Sequence, residues 1–431
     1  MLNIGINLFF LFSILGCSFL NYKISIFLYV VGLFVSPVLH YGTLYLSFDV
    51  WCFPILCLII LIKYKRNLRL KVDRYSLLPY FLAFLAISAF HMIVYQTEIS
   101  LPTTYAILRF VFTIAIIKKA WQYEWTFWLD KVLTAVLVLN LACCVVQLTN
   151  LVSVETFYGL YYKSSMTPLA TELTAGKFAR AYGTTGTPVY LGAIAALSYA
   201  FYMPVCLENE KKIRFGTCKL FIAAVCGVLA LSKTAILSIP LITLFSLLLY
   251  VVNGKKRSAK NLMRFLLVVV CALLILAGAV MWLSKEGFYI QYYLEFLKDP
   301  LKAFETRYDS ESGILSGAME VIKDNLLFGV GNKSFPDVFV GDSVYVVLLY
   351  ETGIVGFFFY LLPYLIAFVC SIREKKISQS AILFAFALIA TGGAFHLSYF
   401  WILFSAFVFG TCSRTKDVKY CKERALQYLI L

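Results

Sequence analysis

At 431 residues the chain could hold two or three soluble domains, but 61% hydrophobic, 17% aromatic and only 14% charged residues exclude a water-soluble fold. Apolar surface on this scale is hidden only by giving it to lipid, so the composition specifies an all-α polytopic integral membrane protein, with residues 1–431 forming a single transmembrane domain. The formal charge of +15 would suit nucleic acid if the 38 Lys and Arg covered one surface, yet 25 of them fall in short runs between apolar stretches, the signature of cytoplasmic loops.

Residues 4–20 lack the basic flank and small-residue cleavage site of a secretory signal and read as a retained first helix. Residues 24–38 and 50–62 read as two further crossings. Successive basic runs share one side, so the chain crosses an even number of times between them. Residues 75–95 and 103–117 form one such pair, and 127–151 and 188–207 the next, with 152–187 a first long outer loop. Residues 263–283 and 344–371 form a third pair, separated by a second outer loop, 285–342.

Two stretches, 220–252 and 381–412, are too long for one crossing and short for two. Each predicts a hairpin of two short helices, with apices at Ser232-Lys233-Thr234 and around Gly392, Gly393 and His396. Halves of about 15 residues span only about 22 Å, so both apices are expected inside the outer leaflet. The total is 12 or 13 crossings, depending on the first 62 residues. The twelve cysteines lie in apolar runs or at cytoplasmic ends, with neither a disulfide framework nor a CxxC motif, and the three histidines show no metal-binding spacing.

Ionisable side chains inside apolar stretches cost several kcal/mol each and need a reason. Arg109 lies mid-helix, Lys233 at a hairpin apex, and Glu351 about 8 residues, roughly 12 Å, into the helix after the second loop. Either they pair or snorkel, or they line a charged cavity open to the outside. In the first loop, Arg180-Ala181-Tyr182-Gly183-Thr184-Thr185-Gly186-Thr187-Pro188 leads into a helix. A glycine-containing loop ahead of a helix start offers backbone N–H groups to an anion, and an adjacent arginine suits phosphate; the same pattern also makes an ordinary turn and cap. Tyr158, Tyr161 and Tyr162 either stack on sugar rings or join the interfacial aromatic belt.

In the second loop, Arg307 and Asp309 precede Ser310, Glu311 and Ser312 and an apolar periodicity at Ile314, Leu315, Ala318, Val321 and Ile322. Lys323 and Asn325 close it, which predicts a short helix on the membrane surface. Gly329-Val330-Gly331-Asn332 makes a turn, and Gly341-Asp342-Ser343 returns the chain to the bilayer. With six basic and ten acidic residues the loop carries a net −4, unlike the basic inner loops.

Arg307, Asn325-Leu326-Leu327-Phe328-Gly329-Val330-Gly331, Asp342-Ser343-Val344-Tyr345 and Leu349-Tyr350-Glu351-Thr352-Gly353-Ile354-Val355-Gly356 together resemble the large-loop signature of the O-antigen polymerase and O-antigen ligase superfamily. Arg180 to Thr184 and Leu231-Ser232-Lys233-Thr234-Ala235 resemble two further family segments. The resemblance covers about residues 175–360 directly. It departs from the family in having Lys233 in place of an arginine, which keeps the charge but loses bidentate phosphate geometry. The loop also lacks the histidine that ligases carry near its end; Asp342 stands there, as in many polymerases.

The resemblance implies polymerisation of undecaprenyl-diphosphate-linked repeat units into O-antigen or a related surface polysaccharide, at the outer face of a bacterial cytoplasmic membrane. It implies no metal or cofactor, and a chain-length regulator and a flippase of the same pathway as partners besides the lipid bilayer and the lipid-linked glycans. Arg180, Arg307 and Lys233, with Arg109, would hold the diphosphate, Tyr182 would contact substrate, and Asp342, or failing it Glu351 or Asp309, would be the base. A ligase, a lipid-linked oligosaccharide flippase and a membrane scaffold are the competing readings.

Overall fold

The structure, a computed structural model, describes residues 2–41, 44–64, 74–95, 100–122, 124–161, 176, 178, 180–208, 213–253, 305, 307–309, 313–331, 335, 338–341 and 343–412. The chain opens with α1 (Leu2–Leu20) and α2 (Tyr22–Val35), followed by a two-stranded antiparallel ribbon, β1 (Leu39–Tyr41) with β2 (Leu44–Leu46), in which His40 stands opposite Tyr45. Next come α3 (Phe48–Tyr64), α4 (Leu78–Tyr95), α5 (Leu101–Ala120), α6 (Trp125–Leu148), the short α7 (Val154–Tyr161), α8 (Pro188–Glu208), α9 (Gly216–Leu229) and α10 (Lys233–Val252). After α11 (Ser316–Asp324) and α12 (Val344–Arg373), α13 (Ile377–Ile389) runs into a 3-10 turn at Ala390–Gly392, and the last apolar helix is α14 (Tyr399–Cys412).

Six of these helices are long and apolar enough to cross a membrane alone, and six shorter apolar helices accompany them. The protein is therefore an all-α multi-pass membrane protein, in which the regular structure of the described residues is helical apart from the three-residue strand pair. The crossing expected over 263–283 lies outside the described residues.

α8 forms the centre. Seventeen of its 21 residues are buried, and it packs against α9, α10 and α13. Small residues permit the close approach: a Cβ on Gly192 of α8 would meet Ser232, and one on Gly227 of α9 would meet Ile239 of α10 and Ala195 of α8. Lipid tails are as apolar as leucine, so helices in a bilayer associate through such packing rather than through exclusion from water. The periphery is correspondingly apolar. Phe9 and Phe12 on α1 are each 66% exposed, and α10 turns Leu237, Leu241, Leu244 and Leu248 outward at helical spacing.

Three elements differ from expectation. Only one half of the first hairpin is short: α9 has 14 residues, about 21 Å, whereas α10 has 20, about 30 Å, and spans the hydrocarbon unaided. α11 begins at Ser316, two residues into the expected periodicity, and no side chain caps it at Leu315. Its apolar side, Leu315, Ala318 and Ile322, packs on Val346 and Tyr350 of α12. α12 itself is broken at Gly353, whose φ of 59° and ψ of −165° are not helical.

That break explains the glycine-rich signature. Residues 326–331 lie along the interrupted turn and satisfy it: Val330 N donates to Tyr350 O at 2.8 Å, Gly331 N to Glu351 O at 3.0 Å, Ile354 N to Leu326 O at 2.8 Å and Val355 N to Leu327 O at 3.3 Å. The backbones approach so closely that a Cβ on Gly329 would fall on Tyr350 O, and one on Gly353 on the Leu327 carbonyl.

At the ends carrying basic runs, charges tie helices together. Lys219 Nζ at the start of α9 lies 2.6 Å from Asp130 Oδ1 on α6, which also accepts from Tyr202 OH of α8 at 3.0 Å.

Candidate functional site

The first-loop segment is fastened by two polar residues of α6. Tyr182 N and Gly183 N both donate to Gln147 Oε1 at 3.0 Å, and Gln147 Nε2 donates to Gly183 O at 3.1 Å. Thr184 N donates to Asn140 Oδ1 at 2.9 Å, and Thr184 Oγ1 to Phe34 O at 2.6 Å. Gly183 has φ +57°, where a side chain is strained and would strike the Asn140 amide. Asn140 and Gln147, each at most 2% exposed, are seven residues apart on one face of the apolar C-terminal half of α6. Two buried amides in a membrane helix are a signal visible in the sequence, although the segment they hold is not.

Replacing Gln147 with leucine removes three hydrogen bonds to buried backbone groups. The expected loss is about 3 kcal/mol or more, with Gln147→Glu intermediate because it keeps the acceptor. Thermal unfolding of the purified protein in detergent checks this; an unchanged Tm for Gln147→Leu would show that the clamp contributes nothing.

Arg180 is half-buried, and the next residue, Ala181, donates its N–H to Leu229 O at 3.0 Å, at the end of α9. Leu231 then takes φ +45° to reverse the chain, and α10 begins at Lys233. The neighbouring Thr234 lies against Gly392, where a Cβ would overlap its side chain. The two hairpin apices are thereby packed together.

The second loop closes on the same place. Arg307 Nη1 donates to Thr391 O at 3.3 Å and Tyr308 OH to the same oxygen at 3.0 Å. Ala394 N donates to Gly341 O at 3.1 Å, and Ser343 Oγ to Ala390 O at 3.4 Å. Asp342 lies outside the described residues, but both its neighbours are fastened to the helix break at 390–394. Asp309 sits in the turn that follows Arg307, its N–H on Glu305 O at 2.9 Å and its carbonyl accepting from Gly313 N at 3.1 Å.

Contacts therefore link Arg180, Lys233 and Arg307 through a short chain of neighbours: Ala181 to Leu229, Thr234 to Gly392, and Thr391 to Arg307. The connection could not be read from spacing, because it depends on helix breaks remote in sequence.

Arg109 takes a different place. Its Nη1 is 2.9 Å from Asp49 Oδ2, and the pair lines a cavity of about 250 Å³ bordered by Ser36, Thr185, Tyr190 and Ser398. Asp49 lies one residue outside the crossing expected over 50–62, so the sequence carries no intramembrane signal for it. Arg109 is thus paired with Asp49 and at the same time lines a cavity. The cavity adjoins the break, since residues 394 and 397–399 form one wall.

Glu351 precedes the break in α12, and its Oε2 is buried with no hydrogen-bond partner among the described residues. His91 of α4 lies against Gly331 in the segment that pairs with this turn. Tyr182 is 0% exposed, its ring packed with Phe157 and Phe178 at 6.1 Å from each. The ring expected to contact substrate is thus part of the loop's own core. Tyr161 is held by its OH on Val35 O at 3.0 Å and borders the Arg109 cavity. Tyr162 lies outside the described residues.

No protein-family model matches the chain, and no curated protein matches it.

Proposed function

We propose that the protein polymerises undecaprenyl-diphosphate-linked oligosaccharide repeat units, forming O-antigen or a related surface polysaccharide at the outer face of a bacterial cytoplasmic membrane. The observation that supports this reading is that the segments bearing Arg180, Lys233 and Arg307 are tied to the two packed helix breaks, where the second loop is fastened on either side of Asp342. Transfer of a glycan from a lipid diphosphate needs cations on the departing group and a base for the attacking hydroxyl. The acceptor hydroxyl oxygen bonds to the anomeric carbon, the bond from that carbon to the diphosphate oxygen breaks with its electron pair leaving on the diphosphate, and the hydroxyl proton passes to a carboxylate. Asp342 takes that proton in this reading, and Glu351 and Asp309 are the alternatives. The leaving group stays attached to its lipid, which suits a site built between helix ends.

The test is deletion of the gene from its host, with the surface polysaccharide resolved on a gel before and after the gene is restored. A single repeat unit in place of a ladder is expected. Full-length polymer retained on the lipid carrier would make the protein a ligase instead, and repeat units held on the cytoplasmic leaflet would make it a transporter.

For the base, Asp342→Asn should be nearly as damaging as Asp342→Ala, since both remove the proton acceptor, with a loss of roughly 10²-fold or more. A wild-type ladder from Asp342→Asn would move the base to Glu351 or Asp309.

A further inference from the structure

The cavity around Asp49 and Arg109 is lined by charges of both signs. Its two charges neutralise each other at 2.9 Å, with side chains still 19% and 10% exposed. Phosphate entering here would meet the Asp49 carboxylate as well as the guanidinium. A polyol meets no such conflict, because adjacent hydroxyls can donate to Asp49 and accept from Arg109.

The remaining wall fits the same chemistry. Ser36 Oγ, Ser398 Oγ and Arg109 Nε are buried and have no hydrogen-bond partner among the described residues. Buried polar groups lacking a protein partner are uncommon and point to a ligand or water that completes them. Tyr190 and Tyr399 add ring surface, and pockets that combine aromatic walls with a few convergent polar groups are the usual form of small-molecule sites. A volume of about 250 Å³, just below the roughly 300–1,000 Å³ of drug-sized ligand pockets, suits one sugar ring.

We infer that this cavity is a subsite for a single neutral sugar ring, with the Asp49–Arg109 pair as its hydroxyl-recognising element. The inference deepens the polymerase reading by assigning the place where one residue of the repeat unit is recognised; the subsite determines which sugar is accepted and takes no part in bond cleavage. Its position fits this role, because residues 394 and 397–399 form one wall while Thr391 and Gly392 of the same break contact Arg307 and Thr234.

The test uses the full-length protein purified in detergent, with methyl glycosides of neutral hexoses and N-acetylhexosamines as probes and inorganic diphosphate as the anionic comparison. At least one glycoside should raise the Tm of the wild type by about 2 °C or more at saturation. The shift should vanish in Ser36→Phe and in Ser398→Phe, which fill the cavity and leave the ion pair intact. Ser36→Ala, which removes a hydroxyl with no hydrogen-bond partner among the described residues, reports whether position 36 tolerates change. Absence of any glycoside shift in the wild type, or a shift that survives both phenylalanine variants, would overturn the assignment. A shift with diphosphate that is lost in those variants would make the cavity an anion site and would equally overturn it.

In the host, both phenylalanine variants should lower polymer yield at least 10-fold, while Gly159→Ala in α7, whose added methyl meets nothing within 4 Å, keeps the ladder. If Arg307→Ala abolishes the ladder but both cavity-filling variants keep wild-type polymer, the subsite fails and the polymerase reading stands. If the glycoside shift behaves as expected and the ladder survives deletion of the gene, the polymerase reading fails and the sugar site stands.

Discussion

Replacing Arg307 with alanine is expected to collapse the polysaccharide ladder to a single repeat unit while the protein accumulates in the membrane at close to wild-type abundance. Two magnitudes separate the outcomes. The hydrogen bond from Arg307 Nη1 to Thr391 O is one charge-assisted contact, and its loss costs about 1.5–3 kcal/mol. Tyr308 OH keeps a second bond to the same oxygen, so the loop retains an anchor. Removing a positive group from a departing diphosphate instead costs roughly 10²–10³ in rate, as with other groups that meet charge developing in a transition state.

Arg307→Lys discriminates further. Lysine can still donate to Thr391 O, so a purely structural arginine would be fully replaced. A diphosphate-binding arginine would not be, because lysine is a point charge without the planar fork, and polymer yield should remain about 10-fold or more below wild type. Wild-type ladder from Arg307→Ala would remove this residue from the mechanism.

The second large effect is expected at Gly353. Alanine there meets a φ of 59° with ψ of −165°, a conformation open almost only to glycine, and its Cβ falls on the Leu327 carbonyl. Strain of about 1–3 kcal/mol adds to the weakening of the four backbone hydrogen bonds that residues 326–331 make across the break, each worth about 1 kcal/mol. Against a typical total of about 5–15 kcal/mol, Gly353→Ala should lower the Tm by 10 °C or more, on the order of 2–4 °C per kcal/mol, and Gly353→Val should fail to accumulate. Gly159→Ala in α7 is the control: nothing lies within 4 Å of its added methyl, and it should match or slightly exceed wild type. Equal thermal unfolding of Gly353→Ala and wild type would mean that the loop and the broken helix are not interlocked.

Gly353 also shows why the motif Tyr350 to Gly356 reads ambiguously in one dimension. Its apolar residues continue a helical pattern on both sides, so a single crossing is the natural reading of 344–371. A helix opened in its middle needs a partner for the freed backbone groups, and in a membrane protein only another segment of protein can supply it. That partner, residues 326–331, comes from the far side of the second loop's last stretch. The glycines at 329, 331 and 353 are visible in the sequence, whereas their mutual contact is a property of the packed chain.

What the sequence by itself determined is the class of protein and the places where helices stop. Apolar length, basic runs and hairpin apices are local properties, and a 33-residue apolar stretch between two basic runs must turn back wherever Ser232, Lys233 and Thr234 interrupt it. The charge inside α5 was legible as a cost for the same reason.

Only the tertiary structure decided the partners: Asp49 for Arg109, Gln147 and Asn140 for residues 182–184, and Thr391 for Arg307. A buried charge or a broken helix announces from its own position that it requires a partner, since that penalty depends only on burial. Which residue answers depends on how helices distant in the chain pack, and small residues such as Gly192 and Gly392 allow the two apices to come together around the candidate site.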